Sequence, residues 1–187
     1  VKLVAIAVAS WLAAGPAWGH TFPPNRTVVA QVESCELVVM VGYRPGSGEA
    51  TQTILARAAN SPKSHAVESL RDVLGATAMA PLTVAIDGHP LVPTTVRAKI
   101  GVEPGGARPM VVVLVTYLLV PGHTLAISSA DSRNTRISWQ DRASGRVDLG
   151  GTPAQDHWFD GVASFLLKLS PSWGTSACAI PSSQRWP

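Results

Sequence analysis

The chain reads as a mainly β protein: an antiparallel, immunoglobulin-like β-sandwich with a two-helix insertion and a C-terminal amphipathic element. Three observations predict this. Charged residues make up only 14% of the 187 residues and hydrophobic residues 46%, a low charge content against the roughly 25% usual for soluble domains. The chain carries 16 Gly and 15 Pro, which suits many turns. Most of its apolar runs are short and bounded by Gly, Pro, Asp or Asn, as strands are. A chain of this length can bury one proper core.

Residues 1–19 have the three parts of a secretory signal peptide. Lys2 is the basic start, Leu3 to Gly15 is an apolar or small-residue run, and Ala17-Trp18-Gly19 is a small-x-small exit. The run is shorter than the ~20 residues of a membrane-spanning helix. Cleavage after Gly19 would make His20 the first residue of an exported chain, periplasmic or extracellular. Residues 20–170 are then the sandwich domain and 171–187 an extended tail.

Thr27 to Glu33 alternates and Leu37 to Tyr43 is a second β-rich run; with Ser34 and Cys35 between them they form a hairpin. Arg44-Pro45-Gly46-Ser47-Gly48 is a turn. Glu49 to Asn60 has an apolar stripe at Ala50, Ile54, Leu55 and Ala58 and predicts a helix, broken by Ser61-Pro62. Ser64 to Met79 predicts a second, capped by Ser64, with Val67, Leu70, Val73 and Leu74 at helical spacing and Pro81 ending it. The helical insert thus spans 49–79.

Thr83 to Ile86 runs into Asp87-Gly88, a hairpin turn signal. Leu91 to Ile100 is β-rich with Pro93 inside, which suits an edge strand. Glu103 to Pro109 is a Pro/Gly loop. The eleven residues Met110 to Val120 are too few to span a bilayer as a helix and predict a central strand. Pro121-Gly122 turns the chain so that Thr124 to Ser129 pairs back. Arg136 to Gln140 and Arg146 to Leu149 form a last hairpin. Trp158 to Leu169 is the amphipathic element, with Phe159, Val162, Phe165, Leu166 and Leu169 at helical spacing. Asp156 would cap it, and Trp158 and Phe159 would anchor it in the core.

The formal net charge is +3, and the basic residues are scattered without a run. That gives no footprint for nucleic acid or a polybasic membrane surface. The two cysteines, Cys35 and Cys178, pair as a disulfide in an oxidising compartment. Closing so long a loop stabilises by roughly 3–5 kcal/mol in the chain-entropy model. Asn25-Arg26-Thr27 matches the N-x-T acceptor pattern, relevant only in a eukaryotic secretory host.

Hydrolase signatures are absent from the sequence: no G-x-S-x-G, S-x-x-K or H-E-x-x-H. The loop Gly101 to Gly106 lacks the Lys-Ser/Thr of a phosphate loop. The expectation is therefore a non-catalytic binding or interaction domain, not an enzyme, that requires no cofactor. A second reading is metal binding. An N-terminal His20 could chelate Cu(II) through its α-amine and Nδ1, with one further histidine completing a tetragonal nitrogen set. His65, His89, His123 and His157 are the choices, and His89 and His123 lie at expected turns. Asp156-His157-Trp158-Phe159-Asp160 is the densest polar-aromatic cluster. Arg133, Arg136 and Arg142, among Asp131, Asp141 and Arg146, could form an anion-binding face, although exposed ion pairs are the commoner outcome.

The order of His20, an early hairpin, a helical insert and Ile86-Asp87-Gly88-His89-Pro90-Leu91 is followed by Leu125 to Val147. That later run contains Arg133, Arg136-Ile137-Ser138-Trp139 and Arg142. Together they resemble the extracytoplasmic N-terminal domain of the HupE/UreJ-like membrane proteins. In that family an exported His-initiated segment leads into a DG-x-P-L hairpin, and an R-I-x-W strand follows. The family is associated with nickel or other metal handling beside hydrogenase and urease. The resemblance implies an exported sandwich partnered with an envelope or membrane protein, with Ni(II) joining Cu(II) as a candidate metal. No membrane-spanning helix follows Leu149, so transport is not implied.

Overall fold

Alternation along the first two strands sets the frame of the molecule. β1 (Asn25–Val32) and β2 (Glu36–Arg44) pair antiparallel from Asn25↔Arg44 to Val32↔Leu37. Every second residue, among them Val28, Ala30, Val32, Leu37, Val39 and Val41, is fully buried. The computed structural model describes residues 25–46, 65–102, 109–130, 132–142, 145–150 and 153–170. After the hairpin come α1 (Ala66–Met79), β3 (Leu82–Ile86), β4 (His89–Pro90), β5 (Pro93–Val102), β6 (Pro109–Leu118), β7 (Thr124–Ser129), β8 (Asn134–Asp141), β9 (Asp156–Phe159) and β10 (Ala163–Lys168).

The strands form two sheets, one of six ordered β5-β6-β2-β1-β8-β9 and one of four ordered β10-β7-β3-β4. Neighbours are antiparallel except β1 and β8, which run parallel. The inward residues of both sheets meet in one apolar core. The fold is therefore mainly β, with two antiparallel-rich sheets and, among the described residues, one helix. That helix, α1, lies against β6, β5 and β2, burying Leu74 and Ala78. Gly75 permits the approach: a Cβ there would stand 3.2 Å from Ala98 Cβ.

The inward parity of β1 also places Arg26 in the core, fully buried. A buried guanidinium must find hydrogen-bond acceptors. Arg26 Nη1 donates to the carbonyls of Ala78 (3.3 Å) and Ala80 (3.4 Å), and Nη2 to Ser129 Oγ (2.5 Å) and Thr135 Oγ1 (3.3 Å). Arg133 Nη1 donates to the Thr77 carbonyl (2.5 Å), its guanidinium 5.3 Å from the Tyr43 ring centre. The last turn of α1 holds no basic residue. Two arginines from elsewhere in the chain therefore satisfy the carbonyls and the dipole at its C-terminus.

Several expected elements take a different form. The first expected helix, 49–60, lies outside the described residues, as does Ser64. His65 occupies the N-cap position of α1 without a side-chain bond to the helix backbone. Trp158 to Leu169 is not one element at helical spacing but two strands joined through Gly161, whose φ is +108°. Ala163, Phe165, Leu167 and Leu169 alternate inward, whereas Val162 and Leu166 are exposed. Trp158 is 59% exposed and no core anchor; Phe159 does pack on the core. Thr124 to Ser129 pairs with β3 and β10, not back onto β6. The expected hairpin at 136–149 does not form. Asp141 Oδ2 accepts the backbone N–H groups of Gly145, Arg146 and Val147 at 2.9–3.1 Å. This turns the chain so that Val147 bridges to Leu169, and β9 takes the place beside β8.

Three substitutions test this packing. Arg26→Ala strips the donor from buried hydroxyls and helix-end carbonyls, and should lower the urea-unfolding free energy by about 3 kcal/mol. Arg133→Ala, with a half-buried donor, should lower it less. Gly122→Ala should lower the melting temperature, because a Cβ there would overlap Ile86 Cγ2 and stand 2.7 Å from Asp87 Oδ2.

Candidate interaction site

The Asp-Gly turn between β3 and β4 behaves as its sequence predicts, with φ +47° at Asp87 and +83° at Gly88. Asp87 does more than turn the chain. Its carboxylate accepts the backbone N–H groups of His123 (3.0 and 3.2 Å) and Thr124 (2.8 Å), tying the β6–β7 loop to the β3–β4 turn. His123 Nδ1 lies 3.6 Å from Asp87 Oδ2. His89 is two residues past Asp87, so His89 and His123 share one end of the molecule, both exposed. Among the described residues no group of three or more His, Cys, Asp or Glu is placed to hold a metal ion. His20 lies outside the described residues. Asn25, the first of them, sits at the opposite end from His123, since its neighbour Arg26 reaches Ser129 at the finish of β7. His65 is held by Glu68 (2.8 Å), and the His157 ring packs edge-on against Phe159 at 4.6 Å.

The three expected anion-binding arginines do not converge. Arg133 precedes β8 and turns inward to Thr77. Arg136 lies on the outer face of β8. Arg142 follows the strand, its backbone N–H donating to the Val32 carbonyl at 2.9 Å. At ~3.3 Å per residue, Arg133 and Arg142 are about 30 Å apart along the strand. Arg136 instead grips Asp156 through Nε (2.8 and 3.1 Å) and Nη2, and its guanidinium lies 5.9 Å from the Trp158 ring centre. Cys35 sits in the β1–β2 turn, where its carbonyl accepts from Leu119 N (3.0 Å); Cys178 lies outside the described residues.

A different site is legible only in three dimensions. Between α1 and β5 runs an open groove of about 610 Å3. Gly75, Ala76 and Met79 form one wall and Pro93, Val96 and Ala98 the other, with Arg71, Asp72 and Arg97 at the rim. Val96 faces the inner side of its sheet yet is 58% exposed. The small residues of α1 that let the helix approach Ala98 leave little side chain to fill the space beside it. β5 is the outermost strand of its sheet, so its far edge carries no strand among the described residues. Sequence reasoning identified the edge strand through Pro93 but not the groove, whose walls lie about twenty positions apart. Gly75 inside an otherwise helical pattern was the available signal.

Comparison with family models, with curated proteins and with solved structures returns no match to this chain. No helix among the described residues is long and apolar enough to cross a membrane.

The Arg136–Asp156 pair yields a pH prediction. Hydrogen bonds from Arg136, and then its charge, hold the Asp156 carboxyl below the usual carboxylate range, while the same contacts raise the guanidinium. The folded-state value lies below the unfolded one. The pair's contribution is therefore present above the ordinary value near ~3.9 and is lost as pH falls through the folded value. By NMR titration, Asp156 should titrate below that ordinary value in the native protein. Arg136→Gln should move it upward, with little change in stability at neutral pH because the pair is exposed.

Proposed function

We propose that the protein is an exported, non-catalytic interaction domain of immunoglobulin-like sandwich architecture that acts at the cell envelope. Its binding site is the α1–β5 groove, and its ligand is an extended segment of a partner polypeptide. The observation that carries this reading is an open strand edge beside an apolar groove. A strand added to such an edge gains main-chain hydrogen bonds, and its alternate side chains enter the adjoining pocket for specificity. Here the inward positions of an added strand would meet Val96, Ala98 and Met79. Its outward positions would lie beside Arg97 and Lys99 on β5, which favours acidic residues there. The envelope location rests on the signal-peptide pattern of residues 1–19 and on the HupE/UreJ-like order of motifs.

Selection of displayed random peptides against the purified full chain tests this. Bound peptides should alternate apolar with polar or acidic residues, and their binding should shift backbone NMR signals of Pro93–Val102 and Gly75–Met79. Ala76→Arg, an exposed helix substitution that fills the groove, should weaken binding at least tenfold while α1 stays folded. Binding that survives Ala76→Arg, or shifts centred elsewhere, would overturn the site. A turnover activity dependent on a single side chain would overturn the non-catalytic reading.

A further inference from the structure

On the outer face of the six-stranded sheet, opposite the core, cross-strand registers line residues up in rows. One row runs Arg97, Leu114, Met40, Val29, Ser138, Asp156. The next runs Lys99, Val112, Gly42, Thr27, Arg136, Trp158. The middle of this face is apolar and open to solvent: Met40 is 42% and Leu114 39% exposed. Gly42 leaves a hollow of about 240 Å3 beside Met40, Met110 and Val112. The two ends of the rows differ in character. The β5 end carries the cations Arg97 and Lys99. The β9 end carries the Asp156 carboxylate and the exposed Trp158 ring.

We infer that this face binds a second copy of the same chain, through a two-fold axis parallel to the strands and central to the sheet. That operation lays β5 of one copy over β9 of the other. Arg97 then faces Asp156 of the second copy, which adds a second guanidinium to the one it holds, and Lys99 faces the Trp158 ring, a cation–π partner. Near the axis Met40 meets Val29 of the second copy, and each contact occurs twice, as an isologous interface requires. A two-fold axis across the strands would instead stack Arg97 and Lys99 on their own counterparts, so the charge pattern selects the first arrangement. Packed sheets cross at about 30°, an offset that the long Arg and Lys side chains span. Five strands of at least eight residues, ~4.8 Å apart, present a face of roughly 24 Å by 27 Å. With side-chain relief this approaches the ~800 Å2 per partner of a standard stable interface. The surface lies on the side of the sheet away from α1; it shares Arg97 with the groove rim, but the inference does not rest on the proposed peptide binding.

Sedimentation equilibrium of the full chain from micromolar to submillimolar concentration tests it. The wild type should shift from one to two chain masses, and Met40→Glu should remain a monomer throughout. Arg97→Asp should weaken dimerisation at least tenfold, and Arg97→Asp combined with Asp156→Arg should recover most of the loss. Circular dichroism melts of each variant separate lost association from lost folding, and these exposed positions should leave the melts near wild type. A wild type that stays monomeric over the whole range would overturn the inference. So would a dimer unaffected by Met40→Glu, or a charge swap between two folded variants that restores nothing. A monomer that still binds peptide in the groove would overturn this inference alone and leave the proposed function standing.

Discussion

The buried guanidinium of Arg26 is the contact on which the arrangement of elements depends. It ties together β1, the end of β7, the start of β8 and the C-terminus of α1. Burying a cation is costly unless every nearby acceptor is used, so the elements that supply those acceptors have little freedom. A slip of β1 by one residue would put Thr27 inward and Arg26 out, and would reverse every buried side chain of the strand. The eight-residue ladders to β2 on one side and β8 on the other hold that register from both edges. The guanidinium then fixes where α1 must end.

From that anchor the shape of the rest follows. The four-stranded sheet is narrower than the six-stranded one, and its β4 is only two residues long. It cannot cover the inner faces of β6 and β5. The helix, held at its C-terminal carbonyls by Arg26 and Arg133, covers what remains. A helix is a cylinder about 10 Å across laid on a twisted sheet, so it cannot cover the outermost strand completely. Gly75 brings it down onto Ala98, and the space beyond, over Val96, stays open. Among the described residues, the groove is thus a geometric remainder of covering six strands with four strands and one helix.

How much of this was legible in the sequence varies element by element. The β1–β2 hairpin, the Asp-Gly turn, the internal strand β6 and the edge strand β5 were all readable, because each rests on local alternation or turn chemistry. Pairing partners were not. Thr124 to Ser129 alternates cleanly, but alternation does not say which strand lies alongside. The set Phe159, Val162, Phe165, Leu166, Leu169 fits a helical stripe. Ala163, Phe165, Leu167, Leu169 fits a strand equally well, and Gly161 decides between them by reversing the chain. Arg26 drew notice only as the middle of an Asn-x-Thr pattern; nothing local distinguishes a buried arginine from an exposed one. His89 and His123 were legible as turn residues, but that they share one end of the molecule required the fold, as did the scatter of Arg133, Arg136 and Arg142.

β5 joins the two faces of the molecule. Its alternation sends Val96 and Ala98 toward the helix and Arg97 and Lys99 toward the outer face, and Pro93 opens it. Cations and proline on an outermost strand are the usual means of keeping a sheet from pairing indiscriminately with any exposed strand. In the proposed complex the same cations would disfavour a basic strand and favour one whose outward positions are acidic. A strand added to β5 would also become the new rim of the outer face and place its acidic residues beside Arg97 and Lys99, where a second copy would otherwise present Asp156. The two surfaces lie on opposite sides of one strand and draw on the same two cations, so occupying one changes the electrostatic complement of the other.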